Sequence, residues 1–172
     1  MIRQVCLFCG CNLGSIENPE GRSPDISHGI CIHCFPKLLA GKGMKLRQFL
    51  DSFPLPVFLV DEDARVLGAN QQGLRLLSKD LDEVQGHLAG EFFACGHSRE
   101  PGGCRQTVHC KTCTIRRSII ETHESGRPCT RQTAFMDLGD ITGDRSPRFL
   151  ISTWKVAEAV MLRIDEVLEA AG

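Results

Sequence analysis

Ten consecutive positions, Cys104-Arg105-Gln106-Thr107-Val108-His109-Cys110-Lys111-Thr112-Cys113, carry three cysteines and a histidine. Thiols and an imidazole at that density can ligate a metal, cycle between dithiol and disulfide, anchor a haem, or fill a core unligated. The cluster extends upstream through Pro101-Gly102-Gly103 to Cys95-Gly96-His97. Cys95, Cys104, Cys110 and Cys113 offer four sulfurs. These close a tetrahedral zinc shell, with His97 as substitute for Cys95, or hold an iron–sulfur cluster. A reversible disulfide of Cys110 with Cys113 or Cys104 is a third reading, and unligated burial a fourth. The polar, Gly-rich setting is poor material for a plain core. Haem attachment is excluded because Thr114, not histidine, follows Cys113. His109 reads as a ligand or as a neighbour that orients one through a hydrogen bond.

A second set of cysteines lies near the start of the chain. Cys6-Leu7-Phe8-Cys9 and Cys31-Ile32-His33-Cys34 are two CxxC turns separated by a Gly-, Pro-, Ser- and Asn-rich loop. Two such turns complete a zinc shell, and a loop unable to bury a core leaves metal binding to fold this unit. A disulfide or redox pair is the alternative. His28 can replace one cysteine or bond to backbone, and Cys11 reads as a spare thiol nearby. Neither CxxC is followed by the histidine of a c-type haem site.

The chain has 172 residues, ten cysteines and a formal net charge of −1. That charge gives no electrostatic case for nucleic acid or an anionic membrane. The opening MIRQVCLFCG lacks a signal-peptide core and no run approaches a membrane span, so a cytoplasmic protein is expected. In that reducing compartment, paired cysteines favour metal binding or catalysis over structural disulfides. No P-loop, Ser/His/Asp triad or paired-carboxylate site emerges, and a non-enzymatic role is expected.

Around the cysteines the periodicity predicts two units. Gly41-Lys42-Gly43 marks a boundary between a metal-binding module at residues 1–40 and a domain at 44–168. Leu46, Phe49, Leu50 and Phe53 recur at helical spacing, ended by Pro54. Pro56–Asp61 and Arg65–Gly68 read as a hairpin, and Asn70 caps a helix whose apolar face is Leu74, Leu76 and Leu77. Ile115, Ile119 and Ile120 share a helix stopped by Gly126 and Pro128, its free N-terminal amides next to Cys110 and Cys113. Cys129–Leu138 and Arg148–Val156 read as strands flanking the turn-rich GDITGDRSP. AEAVMLRIDEVLEAA is ambiguous between strand alternation and helical propensity. His87 and His123 read as surface or interface residues, Cys129 as buried and inert.

Two resemblances follow from these motifs. Ser27-His28-Gly29-Ile30-Cys31-Ile32-His33-Cys34, with the upstream CxxC, resembles a zinc-ribbon-like SHGIC-x-x-C element appended to bacterial sensor kinases and signalling phosphatases. The hairpin PVFLVDEDARVLGAN, a helical middle and a final set of strands resemble a PAS sensor domain, and CxH, GGC and CxxC before a helix resemble a cysteine-rich PAS subgroup. The Gly usual after GGC is Arg105 here. The resemblance implies an α+β fold, a PAS-like antiparallel sheet flanked by helices. It also implies a last strand over Ala159–Asp165 with helix from Glu166 onward, and a signalling context.

The function expected from sequence is a cytoplasmic, signal-sensing PAS protein with zinc at the N-terminal site and zinc or an iron–sulfur cluster at the second. With no output domain after the PAS unit, it would act as a homodimer or through a partner such as a kinase or regulator. A thiol–disulfide redox protein using Cys110 and Cys113 is the enzymatic alternative, and a zinc-ribbon DNA-binding regulator the other. The first lacks a thioredoxin-like βαβ context; the second lacks a basic recognition surface.

Overall fold

The protein is described by a computed structural model covering residues 2–6, 9–16, 26–31, 33–35, 37, 45–104, 106–135 and 148–168. The expected boundary at Gly41–Gly43, Arg105, the GDITGDRSP turn and the expected strand end at 136–138 lie outside the described residues.

Three short strands form the first sheet: β1 (Ile2–Cys6), β2 (Asn12–Ile16) and β3 (Ile26–Gly29). Their order is β2-β1-β3, with β1 antiparallel to β2 and parallel to β3. Cys6, Leu13 and Cys31 are its buried core, with Cys11 and Cys34 packed against them. A core made mostly of cysteine gains little from hydrophobic burial, so the thiols must do more than fill space.

The larger unit begins with α1 (Leu46–Asp51), then the hairpin β4 (Val57–Val60) and β5 (Val66–Ala69). Short helices follow: α2 (Gln71–Leu77), α3 (Leu81–Val84) and α4 (Ala89–Phe92). Two 3-10 turns, Gly96–Arg99 and Val108–Lys111, lead into α5 (Thr114–Ser125). Strands β6 (Cys129–Phe135), β7 (Arg148–Val156) and β8 (Ala159–Leu168) complete a five-stranded sheet of order β5-β4-β8-β7-β6, antiparallel at every neighbour pair. This is the expected α+β architecture.

Both faces of that sheet are covered, and the period-two alternation of a strand sorts residues between them. Phe58, Val60, Val160, Leu162 and Ile164 face the main core with Phe92, Phe93, Ile115 and Ile119. Val57, Leu59, Ala159 and Met161 face the other way, against Leu50 and the partly buried Phe49, Phe53 and Trp154. On that second face an aromatic chain runs from Phe35 to Phe49 (5.4 Å between ring centroids), Phe53 (5.4 Å) and Trp154 (6.2 Å).

Asn70 joins the hairpin to the helices. It is fully buried, and its Oδ1 accepts from the N–H of Val57 (2.9 Å) and Gly73 (2.8 Å). Its Nδ2 donates to the carbonyls of Leu55 (2.8 Å) and Phe53 (3.3 Å). The expected cap is thus also a four-way brace. A Cβ on Gly73 would stand 2.9 Å from Phe58 Cζ, so α2 can lie this close to the sheet only with glycine there.

Three expectations need correction. Residues Glu166–Leu168 continue β8 rather than starting a helix, because Glu166, Val167 and Leu168 pair with Leu150, Phe149 and Arg148 of β7. Leu76 is 36 % exposed, since the seven-residue α2 turns only Leu74 and Leu77 toward the core. Cys129 is half-buried rather than sealed in, with its sulfur 3.6 Å from the Thr122 hydroxyl.

Candidate functional site

At the N-terminal site, backbone hydrogen bonds join the described residues that flank each CxxC pair. Gly10 N–H donates to the Cys6 carbonyl and Cys6 N–H to that of Cys11, both at 2.9 Å, which wraps the first turn around its sulfurs. Cys34 and Phe35 N–H groups return to the Cys31 carbonyl at 3.0 and 2.9 Å. Backbone amides also point at sulfur: Cys31 N–H to Cys6 Sγ and Cys34 N–H to Cys31 Sγ, each 3.3 Å. Charge-assisted bonds of this kind support thiolate character.

The ligand atoms of Cys6, Cys9, Cys11 and Cys31 all lie within 4.8 Å of one another, and the Cys9 and Cys31 sulfurs are 3.6 Å apart. Tetrahedral zinc with bonds of about 2.3 Å places its sulfurs about 3.8 Å apart, so this donor set fits zinc. Cys34, an expected ligand, packs against this cluster but is not among the four whose ligand atoms gather within 4.8 Å. Cys11, expected as a spare, sits inside that group. Of His28 the structure places the backbone, opposite Val5 in β3.

Titration within the cluster is uneven. Hydrogen bonding to Cys9, then burial, pushes Cys11 up to about 12; hydrogen bonding to Cys31, then burial, does the same to Cys34. Cys31 moves the other way. Burial opposes its ionisation, but bonds donated by the Cys34 backbone and by the thiols of Cys34 and Cys9 outweigh it.

The second site is built from the connection between α4 and α5. Cys95 N–H donates to the Gly90 carbonyl (2.8 Å) and the Ser98 hydroxyl to that of Cys95 (2.6 Å), closing the first 3-10 turn. Gly102 and Gly103 have φ of 95° and 72°, the left-handed region that glycine enters without strain, and they reverse the chain beside Cys104. The second turn carries buried Cys110, whose sulfur lies 3.2 Å from the Thr107 hydroxyl. Cys113 is the N-cap of α5.

All four expected cysteines, with His97 and His109, line one cavity of about 600 Å³ whose walls include Phe93, Ile115, Phe135 and Arg148. Burial raises the Cys104 thiol, the Gly90 N–H opposes this, and the charges of Cys110, Cys113 and Cys95 add to it. Cys104 is thus within electrostatic reach of the other three. Among the described residues the four sulfurs do not gather within 4.8 Å as those of the N-terminal site do. A single zinc would require the turns to close inward. An iron–sulfur cluster holds its cysteines farther apart, because several irons lie between them.

Two contributors were not apparent from sequence. Glu100 is hydrogen-bonded through its carboxylate to His97 Nδ1. Gly90 touches Cys104 so closely that a Cβ there would stand 2.7 Å from its sulfur. Replacing Gly90 with alanine is expected to displace Cys104 at a cost of about 1–3 kcal/mol. Thermal melting measures the loss, and peptide mapping after alkylation should show Cys104 labelled faster. An unchanged melting point with unchanged labelling would show that the contact relaxes without consequence.

No curated protein matches the chain. Among solved structures it is similar to the PAS domain of BvgS from Bordetella pertussis: 14% identity, TM-score 0.45, covering 74% of this chain and 85% of that one. It is similar also to the PAS domain of nitrogen regulation protein NR(II) from Vibrio parahaemolyticus, with 10% identity, TM-score 0.46 and coverage of 70% and 95%. A third is the photoactive yellow protein domain of the sensor histidine kinase Ppr from Rhodospirillum centenum, with 16% identity, TM-score 0.45 and coverage of 73% and 96%. No helix among the described residues is long and apolar enough to cross a membrane. The family model described as PAS fold matches residues 50–160, well over half of the sequence, and the protein belongs to the PAS family.

Proposed function

We propose that this PAS protein senses its signal at the four-cysteine centre and passes it to a second copy of itself or to a signalling partner such as a kinase or regulator. The observation that carries the reading is that Cys95, Cys104, Cys110 and Cys113 all line one cavity, with Cys113 at the N-terminus of the helix that packs on the sheet. The spread of the sulfurs supports an iron–sulfur cluster there, and the tighter N-terminal set supports zinc. A cluster in this position would supply one-electron redox chemistry or sensitivity to oxygen. The role is regulatory rather than enzymatic, in a cytoplasmic setting.

The chain's own residues offer a route outward. Cys113 begins α5, and Ile115 and Ile119 from that helix enter the main core. Farther along, the Thr122 hydroxyl meets that of Thr153 in β7 at 2.7 Å, both residues fully buried. A shift at the cysteine end of α5 therefore bears on β7, which pairs with β6 and β8. Such a shift acts as a signal by changing the relative populations of two sheet arrangements.

Anaerobic purification of the full chain, followed by metal, acid-labile sulfide and absorption measurements, tests the reading. Iron and sulfide together with zinc are expected. Cys110→Ser with Cys113→Ser should remove the iron and sulfide and leave the zinc. The reading fails if that double variant changes neither metal content nor self-association nor partner binding.

A further inference from the structure

His97 and His109 sit on the two 3-10 turns that also present Cys95 and Cys110. Their rings stack with centroids 4.0 Å apart and planes 11° from parallel. Glu100 closes the group through its bond to His97 Nδ1, and one ligand atom from each of the three residues lies within 4.8 Å of the other two. Cys110 is buried in the turn whose His109 is exposed, so sulfur and imidazole occupy the inner and outer sides of the same rim.

The geometry points to a second metal site: we propose that His97, Glu100 and His109 bind a borderline divalent transition-metal ion, such as Ni²⁺ or Zn²⁺, at the mouth of the cavity. Two imidazoles and a carboxylate are the donors such ions prefer, while the neighbouring thiols suit softer or clustered metals. Stacked rings direct their in-plane lone pairs along parallel planes, so one ring must turn about its Cβ–Cγ bond to converge with the other. That torsion is broad, and exposed His109 has room to turn. A bound ion would tie the two turns together across the mouth of the cavity. The site goes beyond the sensing role proposed above and does not depend on what the cysteines hold.

Titration of the purified full-length protein, its thiol sites loaded as isolated, with Ni²⁺ followed by calorimetry tests the site. One added equivalent is expected, without intense sulfur-to-nickel absorption in the near ultraviolet. His97→Ala and His109→Ala should each abolish it, and Glu100→Gln should weaken it about tenfold or more. Melting points and as-isolated metal content are read in each variant, and Glu100→Gln, at a residue not placed in the cysteine centre, lets the two sites fail separately. The proposal is overturned by no added equivalent in the parent protein, by uptake with strong sulfur charge transfer, or by uptake that survives His97→Ala with His109→Ala.

Discussion

Replacing Asn70 with alanine is expected to destabilise the PAS domain by about 3–4 kcal/mol, because the change strands polar groups on both sides of one buried side chain. The amides of Val57 and Gly73 lose their acceptor, and the carbonyls of Leu55 and Phe53 lose a donor. Each buried group left unpaired costs about 1–3 kcal/mol, and part of the total is recovered where water or backbone relaxation reaches them. In a domain of this size the loss corresponds to roughly 10–20 °C in melting temperature. Asn70→Asp separates the two halves of the brace. It keeps an acceptor for both amides but sets carboxylate oxygen against two carbonyls, and should be no better tolerated than alanine. Denaturant unfolding measures both variants. A cost below about 1 kcal/mol for alanine would mean that the brace is not a principal stabilising feature.

Asn70 also shows what was legible from sequence. A hairpin ending in Asn before an apolar-periodic segment is local information, and local chemistry determines a cap. The same holds for Gly102 and Gly103, and for the CxxC turns. Less legible were features set by pairing across long separations. Nothing near Glu166 says that it will pair with Leu150, so the helix that the PAS resemblance implied from Glu166 gave way to a strand that exists through β7. Gly90 reads as an ordinary helix residue, and its contact with Cys104 arises because the chain folds back fourteen positions later. Cys11 and Glu100 illustrate the same limit. Spacing identified which residues could be ligands, but the turn in which a residue lies decided which of them meet.

The same distinction gives the N-terminal module a large expected response to metal removal. Its strands are four or five residues long and its buried core is Cys6, Leu13 and Cys31. Structural zinc in small modules contributes apparent binding free energies of about 10–16 kcal/mol, far above what such a core supplies. Cys31→Ser, or a strong chelator, should therefore abolish the zinc proposed for this site and unfold the module, leaving the larger sheet cooperative in thermal melting. The effect should extend beyond the module. Phe35 directly follows Cys34, its amide is bound to the Cys31 carbonyl, and its ring is edge-on to Phe49, which leads through Phe53 to Trp154. Each ring contact contributes about 0.5–1.5 kcal/mol beyond area burial. Releasing Phe35 exposes that end of the stack. The chain has a single tryptophan, so its emission reports on this face without labelling. Removing zinc should shift Trp154 emission to the red, and Phe35→Ala should reproduce part of the shift with zinc retained. If zinc loss leaves the emission unchanged while protease cuts the module, the aromatic stack does not couple the two units. A shift in both cases makes Phe35 the point at which metal occupancy of the small sheet reaches the outer face of the large one.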